Sequence, residues 1–267
     1  MALPDPSTGV AVVTGASSGI GEALATELAR RGYDLLLVAR RAAVMQALGE
    51  RLAAEHGVSF EVRGVDLARP EQRAPLVAEL AERPVSVLCA NAGVATFGPV
   101  AGLDHAVERE LVELNATSVH DVVLAVLPGM LDRGAGGILV TGSAAGNLAV
   151  PNNATYAATK AFVNTFAESL RGELGGTGVH VTLLAPGPVR AETDQPVERS
   201  VVDRLVPDAM WVTTEMAARV SLDGLARGDM RVVPGIVSKV MSLSGSYLPR
   251  RLTAPVIGAF YRKMGEG

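Results

Sequence analysis

Short apolar runs rich in β-branched residues alternate along this chain with longer stretches of helical period, and that rhythm leaves few folds open. The runs are "VAVVT" (10–14), "DLLLVA" (34–39), "SFEVRGVDL" (59–67), "VSVLCA" (85–90), "GILVTGS" (137–143), "HVTLLAP" (180–186) and "RVVPG" (231–235). Helical spacing predicts helices near 19–31, 42–56, 70–82, 104–132, 154–175 and 214–227. Runs apolar throughout, rather than alternating, belong to strands covered on both faces. With helices between them they read as parallel strands joined by right-handed crossovers. The expectation is an α/β fold with a doubly wound parallel sheet, a single domain over residues 1–235, and an extension over 236–267.

Composition removes several function classes. At 267 residues and 48% hydrophobic the chain can bury a large core. A formal net charge of −4, without a basic run or interleaved aromatics, leaves no electrostatic footprint for nucleic acid. Cys89 is the single cysteine, which excludes an internal disulfide and a cysteine-rich metal site; within "VSVLCA" it reads as a small buried hydrophobe. His56, His105, His120 and His180 lack ligand spacing, so no metal is expected. The opening "MALPDPSTG" carries neither a basic nor an apolar leader region, and no later run approaches the ~18 apolar residues of a membrane span, so a cytoplasmic location is expected. No repeat or low-complexity stretch interrupts the rhythm; the irregular part is 186–213, with Pro186, Pro188, Pro196 and Pro207.

Two stretches carry chemistry. "TGASSGIG" follows the first strand and opens a helix, with Gly15, Gly19 and Gly21 at the turn. Glycine there permits tight turning and close backbone approach to a pyrophosphate, and the helix start offers unpaired N–H groups to an anion. "ATYAATKAF" is alanine-rich and therefore helical, so Tyr156 and Lys160, four residues apart, share one face. In isolation such a pair is a surface contact worth a few tenths of a kcal/mol.

The glycine spacing Gly-x-x-x-Gly-x-Gly resembles that of the short-chain dehydrogenase/reductase family, as do "NAG" at 91–93, Asn115, Ser143, Tyr156 with Lys160, and "PG" at 186–187. The resemblance spans residues 10 to 235, in the family's order. It implies a Rossmann fold binding NAD or NADP at the carboxyl edge of the sheet, and hydride transfer between nicotinamide and a carbonyl or alcohol carbon. By the same resemblance Tyr156 is the general acid/base. Lys160 activates it and bonds the nicotinamide ribose, Ser143 bonds the substrate oxygen, and Asn115 helps hold a water chain to the lysine. A cation within about 4–6 Å lowers a phenol's pKa by ~1–3 units, and an oxidised nicotinamide would add to this. Cofactor contacts are implied for Gly15, Ser17, Ser18, Gly19, Ile20, Gly21, Asn91, Ala92, Gly93, Pro186, Gly187 and Val189, with Asp66 and Leu67 at the adenine. Taken singly, Ser143 also reads as a cap, and Asn115 as a packing or kink residue.

Cofactor choice is read from "VARR": Ala39 removes the acid that would hold ribose hydroxyls, and Arg40 and Arg41 supply cations suited to a phosphate. NADP is expected over NAD, held by Arg40 with Ser17; the alternative is that one arginine, Arg41, only solvates the helix start. After "PG" the family continues x-Val-x-Thr, whereas here "PGPVRA" puts Ala191 in the threonine's place, with Thr193 as candidate substitute. Leu148, Val150, Met210, Trp211 and Val212 fit a lipophilic carbonyl or alcohol substrate, or equally core.

A catalytically silent dinucleotide-sensing regulator is a rival, which the joint presence of Ser143, Tyr156 and Lys160 disfavours. A sugar-nucleotide epimerase or dehydratase is another, disfavoured by the glycine spacing. The family's glycine-rich ending is missing, which bears on its familiar tetramer; a homo-oligomer, dimer or tetramer, is still expected. The segment after Gly235 carries Lys239, Arg250, Arg251, Arg262 and Lys263 against Glu266 alone, beside Leu248, Leu252, Val256, Ile257, Phe260 and Tyr261. It reads as broken helical pieces packed on the domain or a second subunit, with peripheral contact to an anionic membrane as the alternative.

Overall fold

A strand whose side chains alternate between two faces needs apolar cover on both, and intervening helices provide it. The computed structural model describes residues 2–187, 189–190, 211–235, 255 and 258. After a 3-10 turn at Pro6–Thr8 its strands and α-helices begin with β1 (Val10–Thr14), α1 (Gly19–Arg30), β2 (Leu35–Ala39), α2 (Ala42–His56), β3 (Phe60–Gly64), α3 (Pro70–Glu82) and β4 (Val85–Ala90). Then come α4 (His105–Val112), α5 (Ser118–Arg133), β5 (Gly136–Thr141), α6 (Ala154–Glu173) and β6 (Val179–Leu184). The short strands β7 (Val189–Arg190) and β8 (Val212–Thr213), then α7 (Thr214–Arg227) and β9 (Arg231–Val232), complete the described set. The strands form a 7-stranded parallel sheet in the order β3-β2-β1-β4-β5-β6-β9, while β7 and β8 pair separately.

The period of two decides which helix each side chain meets. On one face Val12, Leu36, Leu88 and Val140 pack with Leu80 of α3, Val122 and Val126 of α5, and Val163 of α6. On the other, Val13, Leu37, Cys89 and Leu139 meet Leu24 and Leu28 of α1, Met45 of α2 and Leu222 of α7. Each aliphatic side chain fully buried in this way stabilises the fold by ~1.5–3 kcal/mol. Cys89 is the buried hydrophobe its run implies, and burial pushes its thiol up to about 12. The outer strand β3 is guarded instead by charge: Arg63 bonds Glu61 and Glu79, each at 2.8 Å.

Three expected elements come out differently. The strand over 59–67 stops at Gly64, so Asp66 and Leu67 lie in the loop beyond it. The strand over 137–143 stops at Thr141, and Ser143 caps the 3-10 turn Ala144–Asn147. The helix over 104–132 is interrupted by a π-helical turn, Glu113–Thr117, which carries Asn115. The run 105–133 is also long and apolar enough to cross a membrane, contrary to the sequence reading; half of its most apolar window is buried, because α5 packs against α3, β4 and β5. Pro188, Ala191, Thr193, Pro196, Pro207 and Met210 lie outside the described residues, as does 236–267 apart from Pro255 and Gly258. Gly258 meets the main fold where its carbonyl accepts from Asn152 Nδ2 at 3.3 Å.

The chain starts at β1, builds outward to β3, then returns to β4 on the other side of β1. The loops leaving β1 and β4 therefore diverge, opening a crevice at the carboxyl ends of the strands.

Candidate active site

The crevice is a cleft of about 510 Å³. At its β1 end the chain turns so tightly that side chains have no room. Gly15 has φ +70° and its amide donates to Val38 O at 2.7 Å; an added Cβ would stand 2.9 Å from Ala92 Cα. Gly21, one turn into the approach of α1, would bring a Cβ to 2.1 Å from Gly15 O. Ser18 precedes α1 without a side-chain cap, which leaves the first amides of the helix to another acceptor. Ser17, Ser18 and Ile20 line the cleft with Gly15; Gly19 and Gly21 do not.

At the neighbouring end stand Ala39, Arg40 and Arg41 with Val65, Asp66 and Leu67. Arg41 does not merely solvate the helix start. Its Nη2 donates to Ser17 O and Ser17 Oγ at 3.0 Å and to Ser18 Oγ at 2.9 Å, tying α2 to the glycine loop. Arg40 is exposed and its side chain makes no hydrogen bond or ion pair among the described residues, a cation facing the cleft. Asp66 turns a carboxylate oxygen back to Ala68 N at 3.1 Å, and Leu67 is buried at 3% exposure. A glycine cradle and uncapped helix amides fit the pyrophosphate of a dinucleotide, with the Arg40 guanidinium beside them.

Asn91, Ala92 and Gly93 form the middle. Asn91 donates from Nδ2 to Thr14 O at 3.1 Å and accepts from Thr141 Oγ1 at 3.1 Å, so it joins β1, β4 and β5 at one level. Gly93 leaves space that Asn115 and Lys160 use: a Cβ there would be 3.2 Å from Asn115 Oδ1 and 3.3 Å from Lys160 Nζ. Asn115 is fully buried and grips Val94 at both ends, accepting from its N–H at 3.0 Å and donating to its carbonyl at 2.8 Å. Its Nδ2 also reaches Thr159 Oγ1 at 3.2 Å. The π turn opens the helix where this side chain leaves it.

At the far end α6 presents Tyr156 and Lys160 to the cleft, near Pro186, Gly187 and Val189. Lys160 Nζ lies 5.8 Å from the phenol ring centroid and donates to Thr141 O at 2.9 Å. Ser143, 8% exposed, does not line the cleft; its Oγ accepts from Ala145 N at 3.1 Å and it hydrogen-bonds the phenol. The expected lowering of the phenol's pKa is not found. Burial raises it, against a smaller lowering by the Ser143 hydrogen bond. Burial likewise brings Lys160 down to about 8, because little water remains to solvate its cation. Leu148 and Val150 pack with Ala145, Ala157 and Tyr156, Val212 is buried, and Trp211 stacks under Arg190 at 4.3 Å.

Lys160 makes stability depend on pH in a calculable direction. Its folded value, about 8, lies below the unfolded value of 10.5, so between the two the unfolded chain binds more protons and stability rises with pH. Relative to Lys160→Met, whose side chain does not titrate, the ligand-free wild type should gain about 3 kcal/mol from pH 8 to 10.5. Below pH 8 the difference should stay constant. Paired denaturant titrations across this range measure it, and a constant difference throughout would show that Lys160 titrates normally.

Sequence reasoning missed Arg41's grip on the serines, the threonines Thr14, Thr141 and Thr159 that brace the site, and Asn164, which bonds Ser143. The profile of the short chain dehydrogenase family matches residues 9–201. An uncharacterized oxidoreductase of Myxococcus xanthus is 33% identical over 248 residues, 90% of this chain and 95% of that protein. Sulfoacetaldehyde reductase 2 of Chromohalobacter salexigens is 36% identical over 209 residues, 77% of this chain and 81% of its own. A short-chain dehydrogenase from Sphingobium yanoikuyae, solved in complex with NADPH, superposes with a TM-score of 0.76 at 30% identity, covering 89% of this chain and 93% of that one.

Proposed function

The chain belongs to the short-chain dehydrogenase family of oxidoreductases acting on C=O and CH–OH groups, and from that premise we propose an NADP-dependent enzyme for a lipophilic carbonyl or alcohol. The observation that carries the chemistry is the meeting of Tyr156 and Lys160 at one end of a cleft whose other end is a glycine cradle, with Ser143 hydrogen-bonded to the phenol just behind the wall. When bound, the dinucleotide supplies or accepts the hydride. Tyr156 holds the proton: a phenol whose pKa burial has raised stays protonated at neutral pH, ready to give its proton to the oxygen of a carbonyl being reduced. Ser143 shares that oxygen through its hydroxyl, stabilising charge as it develops. Lys160, held by Thr141 O, carries the positive charge that favours the phenolate once the proton has left. Asn115 fixes Val94, and with it the wall beside Gly93.

NADP over NAD is supported by Ala39 and the spare cation of Arg40. The two arginines should separate on substitution. Arg40→Ala should weaken NADPH about tenfold or more, as expected for a lost charge-assisted hydrogen bond, while NADH changes less than about twofold. Arg41→Ala should weaken both, because Ser17 and Ser18 lose their tether. Fluorescence titration of each variant with each cofactor tests this; equal wild-type dissociation constants for the two cofactors would sink the preference.

A lipophilic substrate is supported by Leu148 and Val150 packed with Tyr156. The deciding experiment is a carbonyl panel with NADPH and NADH, including aromatic ketones, a long-chain 3-oxoacyl thioester and a small anionic aldehyde, followed at the nicotinamide absorbance. Turnover confined to the anionic aldehyde would overturn the lipophilic reading.

A further inference from the structure

We propose that Asn164 is a positioning residue that sets Ser143 against Tyr156, an assignment that rests on the oxidoreductase reading of the site. Asn164 lies one helical turn beyond Lys160 and two beyond Tyr156, on the same face of α6. It is 2% exposed, and its described side-chain hydrogen bonds all go to the loop that follows β5. Its Oδ1 accepts from Ser143 N at 3.3 Å, and its Nδ2 donates to Ser143 O at 2.9 Å. The side-chain amide thus takes both backbone groups of the serine, as a neighbouring strand would. A further bond from Nδ2 to Asn147 Oδ1, at 3.3 Å, reaches the far end of the 3-10 turn.

The loop is shaped around this side chain. At Gly142 an added Cβ would fall 2.0 Å from Asn164 Oδ1, and at Gly146 it would fall 2.5 Å from Asn164 Nδ2 and 2.6 Å from the backbone of Lys160. Two glycines in "TGSAAG" therefore clear space for one asparagine. On its other side the loop hangs from β6 and the second residue beyond it, through Gly142 N to Leu184 O at 2.8 Å and Ala144 N to Pro186 O at 3.2 Å. Lys160 grips Thr141 O just upstream. One face of α6 therefore carries the phenol, the cation and the amide that holds the third member of the group. A hydroxyl displaced by about 1 Å loses on the order of 10²-fold in rate, so this register matters to turnover.

A double-mutant cycle separates positioning from plain stability. The probe is phenanthrenequinone with NADPH, and the variants are Asn164→Ala, Ser143→Ala and the pair. Asn164→Asp, which keeps the acceptor and loses the donor, serves as a second variant of similar shape. Asn164→Ala should lower kcat about 10- to 100-fold, with KM for NADPH within about twofold and Asn164→Asp in between. In the Ser143→Ala background the same change should alter kcat less than about twofold, since a residue acting through Ser143 has nothing left to position. An equal loss in both backgrounds, or wild-type kcat in both Asn164 variants, overturns the proposal. Failure of the underlying reading shows separately: wild-type kcat in Ser143→Ala alone would remove the serine from the chemistry, whatever Asn164 does.

Discussion

Tyr156→Phe should abolish most carbonyl turnover while leaving NADPH binding nearly unchanged. Only the hydroxyl is lost: the ring keeps its contacts with Leu148, Val150 and Ala157, so α6 and the cleft wall stay in place. Proton transfer by a positioned acid contributes roughly 10²–10⁴-fold, and no other described side chain at this end of the cleft combines a proton, partial burial and contact with Ser143. Lys160→Ala should damage cofactor binding as well, since its ammonium lines the same wall. Steady-state kinetics on the best substrate of the panel, beside a fluorescence titration with NADPH, test the pair. A phenylalanine variant retaining more than about a tenth of wild-type kcat would assign the proton elsewhere.

Gly21→Val should be the most damaging single change to the fold that touches the site. The new Cβ would be 2.1 Å from Gly15 O, 2.7 Å from Gly15 C and 2.8 Å from Asn91 Nδ2. Two of these neighbours are backbone, pinned by the Gly15 N–H bond to Val38 O, and cannot rotate away. The helix α1 must lift from β1, parting Leu24 and Leu28 from Val13. Overpacking a rigid site costs about 3 kcal/mol or more, which lowers Tm by roughly 6–12 °C in a chain of this size. Binding of NADPH should fall with it, because the same shift dismantles the turn whose amides face the cleft. Gly19→Ala is the informative contrast: its Cβ meets nothing within 4 Å, but its φ of +59° belongs to the left-handed region, so it should lose only about 1 kcal/mol. Thermal melts with and without NADPH distinguish the two, and a Gly21→Val protein with wild-type Tm and affinity would refute the packing argument.

The sheet, its order of elements and most of the site were legible because each rests on local periodicity or short spacing. Short, mostly apolar runs rich in β-branched residues such as "VSVLCA" fit central strands, and β4 is buried along its whole length. Tyr156 and Lys160 meet because a helix brings four-residue neighbours together, with no long-range fold required. Gly15 and Gly21 announce a tight strand-to-helix turn by their position alone. Element ends were less legible, since a strand ends where its partner ends: the run at 59–67 keeps Val65 and Leu67 in alternation beyond Gly64, but its pairing partner stops at Ala39.

Long-range side-chain bonds were decided only by the tertiary structure. Arg40 and Arg41 are adjacent, chemically identical and both line the cleft, yet Arg41, at the cap position before α2, reaches back 24 residues to Ser17, while the Arg40 side chain makes no hydrogen bond among the described residues. The π turn around Asn115 has no periodic signature; it exists because Val94, in a different loop, offers both of its backbone groups. Electrostatics followed the same division. Sequence places a cation one turn from a phenol and implies a lowered pKa, whereas the packed core removes water from both and drives them toward their neutral forms. Spacing along the chain determined which groups meet; burial, which depends on every layer packed around them, determined their charge.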